Sequence, residues 1–155
     1  MIDMNSKSKV KNLCPWNVSW VRINTPGDEF IKANNVVYIN NTEIETQVQN
    51  GNSFFAGTDK IGSHARVYIE NDELREYLGF DNKEEKRTQL ILNDEKCKQI
   101  LEYKTFSTFK KHIEDEIVTN QEKAKIINYA IKIKLNDYEK IRLLEEYCGI
   151  NFKED

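Results

Sequence analysis

A chain of 155 residues, 39% apolar and 10% aromatic, is long enough for one domain or two small halves with a buried core. Its 23 basic and 26 acidic side chains leave a net charge of −3, which argues against a strong field toward nucleic acid or a membrane. No apolar run approaches the roughly 20 residues of a membrane-spanning helix, and Met1-Ile2-Asp3-Met4-Asn5-Ser6-Lys7 lacks the apolar stretch of a secretory signal.

Residues 1–14 are polar and carry Lys7, Lys9 and Lys11. They read as a flexible basic tail, with an arm on an anionic partner as the sharper alternative. Cys14, just before Pro15, is expected to be exposed. From Trp16 to Ile23 apolar and polar residues alternate, so Trp16, Val18 and Trp20 share one face of a strand. Thr25-Pro26-Gly27-Asp28 signals a turn, and Val36 to Ile39 a second strand. Glu43 to Val48 reads as a third, with Ile44, Thr46 and Val48 on one side. Asn50-Gly51 is a hairpin signal, since a type I′ turn needs positive φ at both central residues. Ser53 to Ala56 and Ala65 to Ile69 complete five strands. The N-terminal half, 15–80, is therefore expected to be a small antiparallel sheet, flat or barrel-like.

After Glu70 the pattern turns helical. Asn71 is placed to cap a short helix from Asp72 to Leu78, and Gly79 to end it. Residues 81–87 form a charged link, and Gln89-Leu90-Ile91-Leu92 fits a sixth strand or the lead into a helix. Four more helices follow. Asn93 caps the first, with Cys97, Ile100 and Leu101 on one face, and Thr105 or Ser107 opens the second, with Phe109, Ile113 and Ile117 spaced by four. Thr119-Asn120-Gln121-Glu122 is a capping-box pattern ahead of Ala124, Ile127 and Ile131. Asn136 is placed to cap the last, which carries Ile141, Leu144 and Cys148 and stops at Gly149, with Ile150 closing an apolar end contact. The expected fold is α+β, with this helical half, 88–152, packed on the β-rich one because neither alone buries much.

The polar loop 57–66 is the candidate contact site. It brings Thr58, Asp59, Lys60, Ser63, His64 and Arg66 together, and loops on a rigid scaffold are where binding residues concentrate. Gly57 and Gly62 have the spacing of a phosphate loop. However, Ser63 stands where lysine is required and a strand follows, so nucleotide hydrolysis is excluded. Ser63 and His64 are sequence neighbours; if they lie in a strand they point to opposite faces and make a poor nucleophile–base pair. His112, between Lys111 and Ile113, reads as a solvated helix position. Cys14, His64, Cys97, His112 and Cys148 are too scattered for zinc, and the odd, widely spaced cysteines favour a reducing, cytoplasmic compartment. No cofactor is implied.

The 18 Lys, 17 Asn and 17 Ile against 5 Ala point to an AT-rich genome, such as that of a low-GC bacterium or its phage. Size, composition and the missing catalytic set favour a non-enzymatic binding protein, phage- or mobile-element-encoded, acting stoichiometrically on a host protein or small ligand. An inhibitor of a host defence system is one form of this. A structural or assembly subunit is an alternative. So is a nucleic-acid accessory protein, given the lysines around 104–134 and the aromatics Trp16, Trp20, Tyr38, Phe54, Phe55 and Tyr68. The acidic total weighs against that last reading.

Overall fold

A computed structural model describes residues 2–58, 64–85 and 92–152. The class is α+β. The sheets are small and open, one of three strands and one of two, all antiparallel, and they do not close into a barrel. The chain divides into two units, Met1–Ile91 and Leu92–Asp155.

In the first unit, β1 (Lys7–Asn12) is the centre of the larger sheet, so this stretch is not a flexible tail. It pairs with β4 (Val36–Asn40) in the register Lys9↔Tyr38, and with β5 (Val67–Ile69) in the register Lys11↔Tyr68. Its inward residues are Ser8, Val10 and Asn12, all buried. Two of the three are polar, and each is hydrogen-bonded, as a buried polar group must be. Ser8 Oγ donates to Asn41 Oδ1 and accepts from Asn71 Nδ2. Asn12 Nδ2 lies within reach of the Trp16, Ile31 and Lys32 carbonyls, at 2.8, 3.1 and 3.2 Å, and its Oδ1 accepts from the Cys14 N–H. Cys14 is buried by this same tie, contrary to the expected exposure.

β2 (Val18–Val21) and β3 (Asp28–Ile31) form a hairpin about the Thr25–Gly27 turn; β3 was not anticipated. Gly27, at φ 99, supplies the left-handed residue of that turn. The two segments read as the third and fourth strands are helices, α1 (Asn41–Gln49) and α2 (Ser53–Ala56). Asn40 accepts the Thr42 N–H and starts α1. Its buried face is Asn41, Glu43, Ile44 and Gln47, a helical spacing hidden by polar identity. Asn50-Gly51 is accordingly a helix-end turn: Gly51 has φ 78 and Asn50 φ −87, which a type I′ hairpin does not permit. α3 (Asp72–Tyr77) is capped by Asn71 as expected. One core joins these elements, with Val10, Trp20, Ile31, Ile44, Phe55, Ile69, Leu74 and Phe80 among its members.

The second unit is four helices: α4 (Asp94–Leu101), α5 (Phe106–Glu116), α6 (Asn120–Lys132) and α7 (Tyr138–Cys148). Asn93 caps α4 through the Lys96 N–H, and Glu122 reaches back to the N–H of Thr119 at 3.1 Å. The cap of α7 is Asp137, one residue later than Asn136. Gly149 ends α7 in the left-handed region at φ 69. Phe152 packs on the core beyond it, while Ile150 is exposed. Cys97, Ile100, Phe109, Ile113, Ile117, Ile126, Ile127 and Leu144 fill this second core. Within α6 the apolar face is turned slightly from the expected one: Ile126, Ile127 and Ala130 are buried and Ile131 is exposed.

Candidate functional site

Of the six loop residues singled out from the sequence, Asp59, Lys60 and Ser63 lie outside the described residues, as does most of Gln89 to Leu92. Thr58 is exposed. His64 is half-buried and holds a φ of 58, uncommon for a residue with a Cβ. Arg66 is tied to the scaffold at every backbone group. Its N–H donates to the Phe54 carbonyl and its carbonyl accepts from the Leu13 N–H, while its guanidinium lies 5.6 Å over the Phe54 ring. Phe54 in turn packs at 5.4 Å on Trp20. Arg66 therefore stands where it closes the core.

A second surface joins residues that the sequence offered separately, as a basic arm and as candidate stacking aromatics. Alternation along β1 sends Lys7, Lys9 and Lys11 to the outer face of the three-stranded sheet. Register then sets Tyr38 beside Lys9 and Tyr68 beside Lys11 on that same face. Tyr38 is 61% exposed, with Lys9 Nζ 5.9 Å from its ring centroid. Tyr68 is half-buried, and the Arg75 guanidinium covers one side of it at 4.5 Å. Arg75 is held there by Asp81 at 2.6 Å and Asp72 at 3.3 Å. The facing carboxylate is Glu70, 3.7 Å from Lys9, with both side chains open to water. Lys7 and Lys11 have no carboxylate partner among the described residues.

At the Lys7 end this face runs into a polar cleft of about 560 Å³. Lys7, Tyr38 and Thr42 line it on one side and Arg22, Asn24 and Glu29 on the other. Arg22 Nε donates to Glu29 at 3.0 Å. The cleft is held in shape from beneath by Glu43, a buried carboxylate of α1. Its oxygens accept from the Ile23 N–H at 3.1 Å, the Asn24 N–H at 2.8 Å and the Gln47 amide at 2.9 Å. Glu43 is thus committed to fixing the hairpin and is not free to act as a base.

His112 is partly open to water, as expected, and has partners as well: its ring stacks on Tyr103 at 4.1 Å and its Nδ1 lies 3.0 Å from Glu116. Cys97 is buried, and burial pushes its thiol up to about 12, which suits a core residue and not a nucleophile. Among the described residues no three His, Cys, Asp or Glu side chains are placed to hold a metal ion, and no helix is long and apolar enough to cross a membrane. The aromatics proposed as a stacking set separate by burial: Trp20 and Phe55 are in the core, and Tyr38 and Tyr68 face outward beside the lysines. No family model, curated protein or solved structure matches the chain.

Proposed function

We propose that the chain is a non-enzymatic binding protein that acts stoichiometrically, and that the outer face of the β4-β1-β5 sheet is its contact surface for an extended anionic partner. The observation that carries this reading is the row of Lys7, Lys9 and Lys11 on the central strand. A strand advances about 3.4 Å per residue, so alternate lysines stand about 7 Å apart along a straight line. That row presents charge to a linear ligand more readily than to a compact one. The position of the row adds rigidity. β4 pairs with β1 from Lys7 to Lys11, and β5 adds a second side from Lys9 onward, which holds the Cα atoms in place so that binding orders chiefly the lysine side chains. The supporting chemistry is electrostatic, and it acts locally although the whole chain is acidic.

Retention on immobilised heparin at low ionic strength tests the reading. The wild type should be retained and should elute as salt rises. A variant with Lys7→Glu, Lys9→Glu and Lys11→Glu should pass through with its circular dichroism unchanged. A wild type that is not retained, or a folded triple variant that is retained as well as the wild type, defeats the proposal.

A further inference from the structure

We infer that the occupant of this face is a single-stranded nucleic acid, its phosphates on the lysine row and its bases stacked on Tyr38 and Tyr68. The inference rests on the anionic-surface reading above and adds the partner's identity. Cations alone would suit any polyanion, an acidic peptide included. The rings are what discriminate. Tyr38 keeps most of its surface in water although it stands on a strand beside a core. Lys9 Nζ lies over this ring, 5.9 Å from its centroid, and its solvent-exposed, flexible ammonium can yield that face to a base. On the other flank Tyr68 is backed by Arg75, whose double ion pair leaves the guanidinium fixed against one ring face.

The pattern across the sheet is ring, lysine, ring. Adjacent strands are about 4.8 Å apart, so the two rings stand about 10 Å apart across the sheet and about 7 Å along it. One base cannot touch both. Two bases of one strand can, with the intervening backbone passing over Lys9 and Lys11. A planar base gains from such a ring whatever its identity, and stacking combined with a cationic track is how sequence-tolerant single-strand binders work. Duplex bases are already stacked and paired, so their faces are closed to Tyr38. An acidic peptide has no comparable use for exposed rings. Glu70 does not block the track, because its pair with Lys9 is solvent-exposed and such pairs are weak.

Fluorescence anisotropy with a labelled oligothymidylate of about twelve nucleotides, within the usual site size of small single-strand binders, tests this. The wild type should bind it, with log K falling against log salt at a slope of about −2, as three neutralised phosphates require. Tyr38→Ala should weaken binding about 5- to 150-fold, the range for losing one stacked base. Tyr38→Phe should restore it. The same variants should elute from heparin where the wild type does, because heparin has no bases. The blunt duplex of equal length should bind more weakly than the single strand. Equal affinity of wild type and Tyr38→Ala for the oligothymidylate overturns the inference, and so does polyglutamate competing as well as the oligonucleotide. Either result with heparin retention intact leaves the anionic surface standing. Loss of heparin and oligonucleotide binding together removes both.

Discussion

Burial pushes the thiol of Cys14 up to about 11 and that of Cys97 up to about 12, against an ordinary 9.0, and the nearby Arg66 and Lys125 offset only part of this. Cys148 is likewise pushed up to about 11. A thiol that holds its proton more tightly when folded favours the folded state below pH 9, and that contribution is lost as pH climbs from 9 toward 11 or 12. The melting temperature should therefore fall above pH 9. It should fall less steeply in Cys97→Ala, which removes the largest of the three shifts. Parallel pH profiles for the two proteins would show that the thiol does not contribute. Single residues were unevenly legible in the sequence. Cys97 is where its apolar helix face put it. Cys14 was misjudged because its burial depends on Asn12 and Arg66, one of them fifty-two residues away, as the contact from its Sγ to the Arg66 carbonyl records.

At the level of elements, caps and stops carried most of the information. Asn71, Asn93, Thr119 and Gly149 each mark a real helix boundary, because the bonds involved span only a few residues. The failures at α1 and β1 share a cause. α1 and β1 bury polar side chains, so their apolar periodicity is absent, and only tertiary partners reveal the buried face. Glu43 is the clearest case, since it belongs to α1 but satisfies backbone donors of the hairpin. Glu43→Ala removes the acceptor of the Ile23 and Asn24 N–H groups and one of the two acceptors of the Gln47 amide, which keeps the Val21 carbonyl. Water reaches Ile23 and Asn24, so the cost should be about 2–3 kcal/mol, the value of a hydrogen bond to a charged group. Urea unfolding of the variant would measure it, and a loss below about 0.5 kcal/mol, the level of an ordinary surface change, would contradict the anchoring role. The candidate site shows the same limit. The lysines of β1 were visible as charges in the sequence, but their alternation with Ser8, Val10 and Asn12 looked like a solvated arm. Their pairing with Tyr38 and Tyr68 depends on strands far along the chain.

For the whole molecule, the α+β class was legible, with strands early in the chain and helices late, since the hydrophobic period changes along it. What the sequence did not disclose is that each part has a hydrophobic cluster of its own among the described residues. The second set, built around Phe109, Ile113 and Ile127, uses side chains from all four helices of its unit. Residues 92–155 expressed alone should thus give a helical circular dichroism spectrum and a cooperative melt, as domains near this size can. A broad, non-cooperative melt would show that this core needs the rest of the chain. The first unit has a different history. During synthesis β1 is made before either neighbour, and β5 is made only after the hairpin, β4 and two helices. Until Tyr68 is translated the nascent sheet has one bare flank, and that flank belongs to the strand that will later be its centre. Slow or interrupted translation between Asn40 and Val67 should therefore be the interval in which this chain is most prone to pair with a neighbouring copy instead of with itself.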